Sequence, residues 1–283
     1  MNEKEQQAQD QQTLAARMGK IKHKLVVLSG KGGVGKSTIA ANLALSLSAE
    51  GKGVGLLDVD IHGPSISGIM NLGNVKYDSV DGKNIIPIQC GAIKVVSIGP
   101  LLQGNDDAVI WRGPMKHNVI KQFLTDVEWG ELDYLVIDSP PGTGDEPLSV
   151  CQLIDNPSGA VVVTTPQKLS ISDVRRSINF CRKLNLPIVG IVENMSGFVC
   201  PNCGTEVAIF EPGGGEQLAS DMDIPFLGKI PLEPAIAQAG DAGFKNTADM
   251  DNSVFAQYFK RLAVAVEKRV LAQGKNDESH NSI

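Results

Sequence analysis

A glycine-rich run near the start of the sequence constrains the fold of this chain more than any other feature. Residues 29–38 read Ser-Gly-Lys-Gly-Gly-Val-Gly-Lys-Ser-Thr and fit G-x-x-x-x-G-K-[ST], the pattern of a phosphate-binding loop. An apolar run over residues 24–29 precedes the loop, and a proline-free helical pattern that ends near Gly51 follows it. A strand, a glycine-rich loop and a helix in this order direct backbone N–H groups and the helix N-terminus toward a bound anion. The sequence therefore predicts a nucleoside triphosphate site.

The residues of this loop have separate expected roles. We expect Lys36 to act as a catalytic cation on the β- and γ-phosphates and Ser37 to ligate Mg²⁺. Lys31 is a second lysine, which the pattern does not require. A glycine-rich turn that binds nothing is the alternative, and the flanking strand and helix disfavour it. The predicted nucleotide-binding residues of the loop are Gly30, Lys31, Gly32, Gly33, Val34, Gly35, Lys36, Ser37 and Thr38.

The composition excludes several classes of protein. The 283 residues are 42% hydrophobic and 20% charged, which predicts a globular chain with a full core. The net charge of −6 argues against nucleic acid or an anionic membrane as a partner, and no apolar stretch approaches the roughly 20 residues of a membrane span. Five cysteines without a secretory signal favour the cytoplasm, with free or metal-bound thiols.

Apolar β-type runs alternate with helical patterns over most of the chain. This alternation predicts a single α/β domain whose doubly wound, mainly parallel sheet is flanked by helices, as in P-loop nucleotide hydrolases. We assign residues 1–23 to a polar N-terminal tail, 24–272 to the domain and 273–283 to a disordered C-terminal tail. The predicted strands cover residues 24–29, 54–60, 134–138, 160–164, 188–192 and 225–230, with a hairpin within 85–98 and helices at 172–184 and from 254 onward.

Three aspartates follow or end predicted strands. Asp58 and Asp60 end the second strand, and Asp138 ends the fourth core strand before a Pro-Pro-Gly-Thr-Gly loop. Ligands of open α/β sheets bind beyond the carboxyl ends of the strands, so we expect all three near the phosphates. One of Asp58 and Asp60 could hold Mg²⁺ through water while the other orients or deprotonates the attacking water, and Asp138 would support Mg²⁺. A solvated strand end is the alternative for Asp58 and Asp60.

Asn194 follows another apolar strand in the run Val-Glu-Asn-Met-Ser. Its amide offers one donor and one acceptor, which suits the edge of a nucleotide base. An ordinary strand-end asparagine in a turn is nearly as good an interpretation of the sequence.

Two cysteines form the second strong signal. Cys200-Pro201-Asn202-Cys203-Gly204 has the spacing of a metal knuckle, but it supplies only two thiolates. Tetrahedral zinc and [4Fe–4S] clusters usually take four ligands, so the same loop of a second subunit could supply the other two. Cys151 and Cys181 lie in helical patterns, where we expect core residues. A redox dithiol is the main alternative.

Four motifs together resemble the Mrp/ApbC-type P-loop ATPases, which carry iron–sulfur clusters and belong to the deviant-Walker (SIMIBI) class. The similarity runs from about Lys24 to Leu271. The motifs are Lys-Gly-Gly-Val-Gly-Lys-Ser-Thr, Asp-Val-Asp-Ile-His-Gly-Pro-Ser, Ile-Asp-Ser-Pro-Pro-Gly-Thr-Gly-Asp and Glu-Asn-Met-Ser-Gly-Phe-Val-Cys-Pro-Asn-Cys-Gly. The first indicates only the class, whereas the last, after the others, is specific to the carriers.

The resemblance implies a role for each site residue. Lys31 is similar to the signature lysine that reaches the nucleotide of the opposing subunit. Asp60 matches the acid that handles the attacking water, Asp138 the acid that supports Mg²⁺, and Asn194 the asparagine that reads adenine. The cysteine pair, Cys200 and Cys203, resembles half of a [4Fe–4S] site that bridges a homodimer.

These features favour a cytoplasmic ATPase homodimer that binds ATP, Mg²⁺ and a [4Fe–4S] cluster and passes the cluster to apo iron–sulfur proteins. Two other classes compete with it. One is a positioning ATPase that works on a membrane or on DNA. The other is an ATPase in which the cysteines hold structural zinc instead of the cluster.

Overall fold

A nine-stranded, mostly parallel sheet organises the part of the chain that this computed structural model describes, residues 3–73, 76–79, 84–102, 113–200, 203–211, 213–232 and 254–280. The strands are β1 (Ile21–Ser29), β2 (Val54–Asp58), β3 (Ile88–Cys90), β4 (Ile93–Ser97), β5 (Leu132–Asp138), β6 (Gly159–Thr164), β7 (Ile188–Val199), β8 (Glu206–Val207) and β9 (Phe226–Leu232). The helices are α1 (Glu3–Met18), α2 (Lys36–Ala49), α3 (Ile66–Ile69), α4 (Gly99–Leu102), α5 (Gly113–Asp126), α6 (Asp145–Leu153), α7 (Lys168–Lys183), α8 (Gly214–Asp221) and α9 (Val254–His280).

The strand order places the glycine-rich loop at the middle of the sheet. The order is β3-β4-β2-β5-β1-β6-β7-β8, and β9 pairs with β7. β1 is paired in parallel with β5 on one side and with β6 on the other, while β3–β4 and β7–β8 are antiparallel. The carboxyl ends of the central strands therefore meet at one edge, as predicted for a doubly wound fold.

Helices cover both faces of the sheet, which explains the nearly continuous apolar runs in the central strands. Successive residues of β1 alternate between two cores. Leu25 and Val27 pack with α2 and α9, and Val26 and Leu28 pack on the other face with residues of α5, α6, α7 and α8. None of the helices in the described segments is long and apolar enough to cross a membrane.

The two ends of the chain differ from the predicted tails. Residues 3–18 form α1, and β1 begins at Ile21 instead of Lys24. Leu14 and Met18, four residues apart, lie on one side of α1 and are buried in the same core as Ile21 of β1. At the other end α9 continues to His280, beyond residue 273, and the side-chain amide of Gln273 donates a hydrogen bond to the Ile188 carbonyl at 3.2 Å.

Candidate functional site

A cavity of about 370 Å³ lies at the carboxyl edge of the sheet, between the glycine-rich loop and the segment after β2. Gly33 and Gly35 adopt φ of 79° and 80°, a left-handed conformation that glycine reaches without strain. Gly35 directly precedes α2, so the helix N-terminus opens toward the cavity. The structure brings the following residues together around it: Ser29, Lys31, Gly32, Gly33, Gly35, Lys36, Ser37, Thr38, Asp60, His62, Gly63, Ser65, Ile69 and Pro141.

Lys36 lies between two carboxylates. Its ammonium is 2.5 Å from Oδ1 of Asp138 and 3.5 Å from Oδ2 of Asp60, and all three side chains are at least nine-tenths buried. Burial raises the pKa of Asp138, and the charge and hydrogen bond of Lys36 oppose that shift. Asp138 Oδ2 is buried without a hydrogen-bond partner in the described residues. This oxygen and the excess of negative charge fit a nearby divalent cation.

Asp58 has contacts different from those expected of a magnesium ligand. It is fully buried and does not line the cavity. Its Oδ1 accepts the Asp60 N–H at 3.0 Å, while its Oδ2 accepts the Ser97 hydroxyl at 2.8 Å and the Ile66 N–H at 3.3 Å. Burial, with repulsion from Asp138, raises the pKa of Asp58 to about 7. Asp58 thus fixes the backbone on both sides of the Asp60 loop.

Asp60 faces the cavity from the first residues after β2. Its Oδ1 accepts the Gly63 N–H at 3.3 Å, and its Oδ2 faces Lys36. These two contacts orient the Asp60 side chain toward the cavity.

A charged cluster beside this loop was missed by the sequence reasoning. Glu146, in the first turn of α6, contacts His62 at 2.9 Å and also pairs with Lys116 of α5. Burial alone would raise the pKa of Glu146, but hydrogen bonds from Lys116 and His62 hold it below its ordinary value. The cluster links the Asp60 loop to the loop after β5. The only sequence signal was an acid just after the Pro-Pro-Gly-Thr-Gly run.

Lys31 lies at the open side of the cavity. Its ammonium is 3.5 Å from Oε1 of Gln167, in an exposed contact. No carboxylate of the described residues forms an ion pair with it, whereas Lys36 has two such neighbours. Lys31 is therefore available to a ligand outside its own loop.

Asn194 lies behind the glycine-rich loop. Its Nδ2 donates to the Val34 carbonyl at 2.9 Å, and the side chain is 7% exposed. Asn194 does not line the cavity, and its amide nitrogen is already used by the loop backbone. That Asn194 reads adenine stays a prediction, and only the part of its amide that does not contact the loop could do so.

The cysteine pair lies at the tip of the β7–β8 hairpin. The Cys200 N–H donates to the Thr205 carbonyl at 3.0 Å, and the Gly204 N–H donates to the Cys200 carbonyl at 2.8 Å. Cys203 is exposed, its Sγ is 3.2 Å from the Thr205 hydroxyl, and hydrogen bonding with Thr205 and Cys200 lowers the pKa of its thiol. Pro201 and Asn202 lie outside the described residues.

The other cysteines do not complete a metal site with this pair. Cys181 is buried in the core, as predicted, and Cys151 is partly buried against it; burial raises the pKa of each thiol to about 12. Cys90 is in the β3–β4 hairpin at the opposite end of the sheet. Among the described residues, no group of three or more His, Cys, Asp or Glu side chains could hold a metal ion.

Known proteins are similar to this chain in sequence over most of its length. An iron–sulfur cluster carrier protein of Methanocaldococcus jannaschii is 47% identical over 271 residues, which cover 95% of this chain and 92% of the relative. The cytosolic Fe–S cluster assembly factor NUBP2 of Gallus gallus is 51% identical over 81% of this chain and 85% of its own length.

Two solved structures are similar to this chain. A nucleotide-binding protein of Archaeoglobus fulgidus, solved with ADP, is 39% identical, covers 88% of this chain and 96% of its own, and has a TM-score of 0.76. The septum site-determining protein MinD of Pyrococcus horikoshii has a TM-score of 0.64 over 87% of this chain and 96% of its own, but at 24% identity it supports only the fold.

The comparison with family models favours the iron-transfer proteins over the positioning ATPases for this chain. The matching model is that of the ParA-type NUBPL iron-transfer P-loop NTPases, and it covers residues 20–267. It does not favour the alternative of a positioning ATPase, and it agrees with the resemblance inferred from the four motifs. This chain therefore belongs to the NUBPL-type iron-transfer P-loop NTPase family.

Proposed function

We propose that this protein is a cytoplasmic ATPase that carries a [4Fe–4S] cluster between two copies of itself and transfers it to apo iron–sulfur proteins. One observation carries the proposal. The chain has a cavity lined by the glycine-rich loop together with a cysteine pair, partly exposed at Cys200 and exposed at Cys203, that offers only two of the four ligands such a cluster takes. The relatives named as a cluster carrier and as a cluster assembly factor support the same assignment.

ATP with Mg²⁺ would replace the ion pairs that Lys36 forms with Asp138 and Asp60. Lys36 would leave Asp138 and Asp60 for the β- and γ-phosphates, and Mg²⁺ would be held by Ser37 and, through water, by Asp138. The cation would compensate the buried carboxylates that Lys36 now neutralises. Asp60, freed from Lys36 and oriented by Gly63, would then handle the attacking water.

A second copy would complete both sites in a homodimer. Lys31, unpaired with any carboxylate of the described residues, would reach the γ-phosphate held by the partner and stabilise the charge that develops during hydrolysis. The cysteine pair of each copy would supply two thiolates to one bridging cluster. The lowered pKa of Cys203 favours the thiolate, which is the form that binds metal.

Anaerobic reconstitution tests the cluster site. The protein is loaded with iron and sulfide, and iron, sulfide and visible absorption are compared for the unmodified protein, Cys203→Ala and the control Cys90→Ala. We expect about four irons per dimer in the unmodified protein and the control, and loss of the cluster in Cys203→Ala. A cluster unchanged in Cys203→Ala would refute the bridging site. Zinc at one ion per dimer, retained after incubation with an apo-acceptor, would favour the structural alternative.

A further inference from the structure

Strand β7 reaches the nucleotide loop near its middle and the cysteine pair at its end. Asn194 is hydrogen-bonded to the Val34 carbonyl, and Cys200 comes six residues later. The loop and the strand are in direct contact. A Cβ atom at Gly35 would lie 2.2 Å from Nδ2 of Asn194 and 3.8 Å from the terminal methyl of Met195. A movement of the loop backbone must therefore be accommodated by this part of β7.

A bulge separates the two contact points. From Asn194 to Phe198 β7 advances four residues, while β9 advances only two, from Ile230 to Leu232. We call residues 195–197 the β7 bulge. Met195 within it has φ of 55°, which costs a residue with a side chain of order 1 kcal/mol or more. Bulges bend strands and redirect the next stretch of chain, and here that stretch is the β7–β8 hairpin with the cysteine pair.

A buried carboxylate holds the β7 bulge in place. Glu193 is fully buried, its Oε1 accepts the Ser196 hydroxyl at 2.5 Å and its Oε2 accepts the Gly215 N–H at 2.6 Å. Gly215 lies in the first turn of α8, so the carboxylate joins the bulge to that helix. A Cβ at Gly215 would lie 2.9 Å from this oxygen, which leaves little room for movement. The Glu193 carboxylate therefore ties Ser196 of the bulge to the start of α8.

We infer that Glu193 and Ser196 are positioning residues that make the geometry of the cysteine pair depend on the nucleotide. This inference rests on the proposed function, which gives the dependence on the nucleotide its purpose. The measurement that tests it needs no cluster. A phosphate held by the N–H groups of the loop would add contacts to its backbone, and any resulting shift of the Val34 carbonyl would reach Asn194 through their hydrogen bond. The β7 bulge passes that change to the hairpin, because the Glu193–Ser196 bond makes the segment move as one unit. A nucleotide can shift the hairpin between two conformations only if its contacts with the protein differ between them.

Alkylation of Cys203 by iodoacetamide, without any cluster and with or without Mg·ADP, measures this coupling. We expect ADP to change the rate by at least about fivefold in the unmodified protein, the lower end of usual allosteric effects. Ser196→Ala should bring the ratio of the two rates close to 1, whereas Ser196→Thr, which keeps the hydroxyl, should retain it. ADP affinity, measured by calorimetry, should change by less than about twofold in both variants, because Ser196 does not line the cavity.

Two results would overturn the inference. One is an ADP effect in Ser196→Ala equal to that in the unmodified protein, and the other is no ADP effect at all. Each measurement is made at two protein concentrations, tenfold apart. A rate ratio that changes with concentration would assign the effect to shielding by a second copy and overturn the inference as well. Because no cluster is present, failure of the carrier function in reconstitution leaves this result intact, and the two failures are distinguishable.

Discussion

Replacing Gly30 by alanine tests how tightly the glycine-rich loop is packed against helix α7. A Cβ at Gly30 would lie 2.4 Å from the carbonyl carbon and 2.6 Å from the carbonyl oxygen of Asp173, about 1 Å closer than ordinary contacts. Those atoms are backbone atoms within a helix, so no side-chain rotation can relieve the overlap. Overpacking of this kind costs about 2–3 kcal/mol, which for a chain of this size lowers the Tm by about 4–12 °C.

Gly32→Ala is the matched control in the same loop. No heavy atom lies within 4 Å of the position its Cβ would take, and neither glycine has a left-handed φ. Both substitutions remove the same conformational entropy from the unfolded chain, so the difference between them isolates the contact.

Thermal unfolding without nucleotide, followed by circular dichroism, provides the comparison. Gly32→Ala should remain within about 2 °C of the unmodified protein. Equal Tm values for Gly30→Ala and Gly32→Ala would refute the packing argument.

Three further predictions concern single residues. Lys31→Ala should lower ATP hydrolysis by at least about 100-fold while ADP binding stays nearly unchanged; turnover at the normal rate would contradict a role in the partner's site. Asp58 has a raised pKa in the folded state, about 7, so the folded protein holds a proton that the unfolded chain releases and stability falls as pH rises from about 4 to 7. In the unmodified protein the unfolding free energy, measured with urea, should fall between pH 5 and pH 8, and Asp58→Asn should remove up to about 3 kcal/mol of that fall. Identical pH dependence in both proteins would exclude ionisation of Asp58 as its cause. Thr205→Ala should raise the pKa of the Cys203 thiol and slow its alkylation at pH 7, whereas Thr205→Ser should not, and pH–rate profiles that coincide for all three proteins would contradict the hydrogen-bond assignment.

The central fold was predictable because its signals are local. The loop pattern lies between a strand and a helix, and each acid at a strand end must lie at the carboxyl edge once the strands are parallel. Asp138 and Asp60 meet at Lys36 for this reason. The N-terminal helix was missed because its apolar residues, Leu14 and Met18, are few and are buried only by elements far along the chain.

The functional carboxylates show where sequence reasoning stops. Asp58 and Asp60 are two residues apart and were expected to share one site, but Asp58 is turned toward Ser97 and the backbone. Its role depends on a partner 39 residues away. Glu193 opens the fourth motif, but its role had no signal in the sequence, because its two donors come from a bulge and from a helix that begins about twenty residues later. Such contacts depend on tertiary structure rather than on spacing.

The central place of β1 in the sheet sets an order of events during synthesis. The phosphate-binding loop is complete at Thr38, but β1 has neither neighbour until residues 132–138 and 159–164 have been made. At about 5–20 residues per second, the ribosome reaches Asp138 some 5–20 s after Thr38. A nascent chain therefore cannot retain nucleotide while its first third is emerging. Cys200 and Cys203 are made later still, so a growing chain acquires its phosphate site before it exposes the thiols that could capture metal.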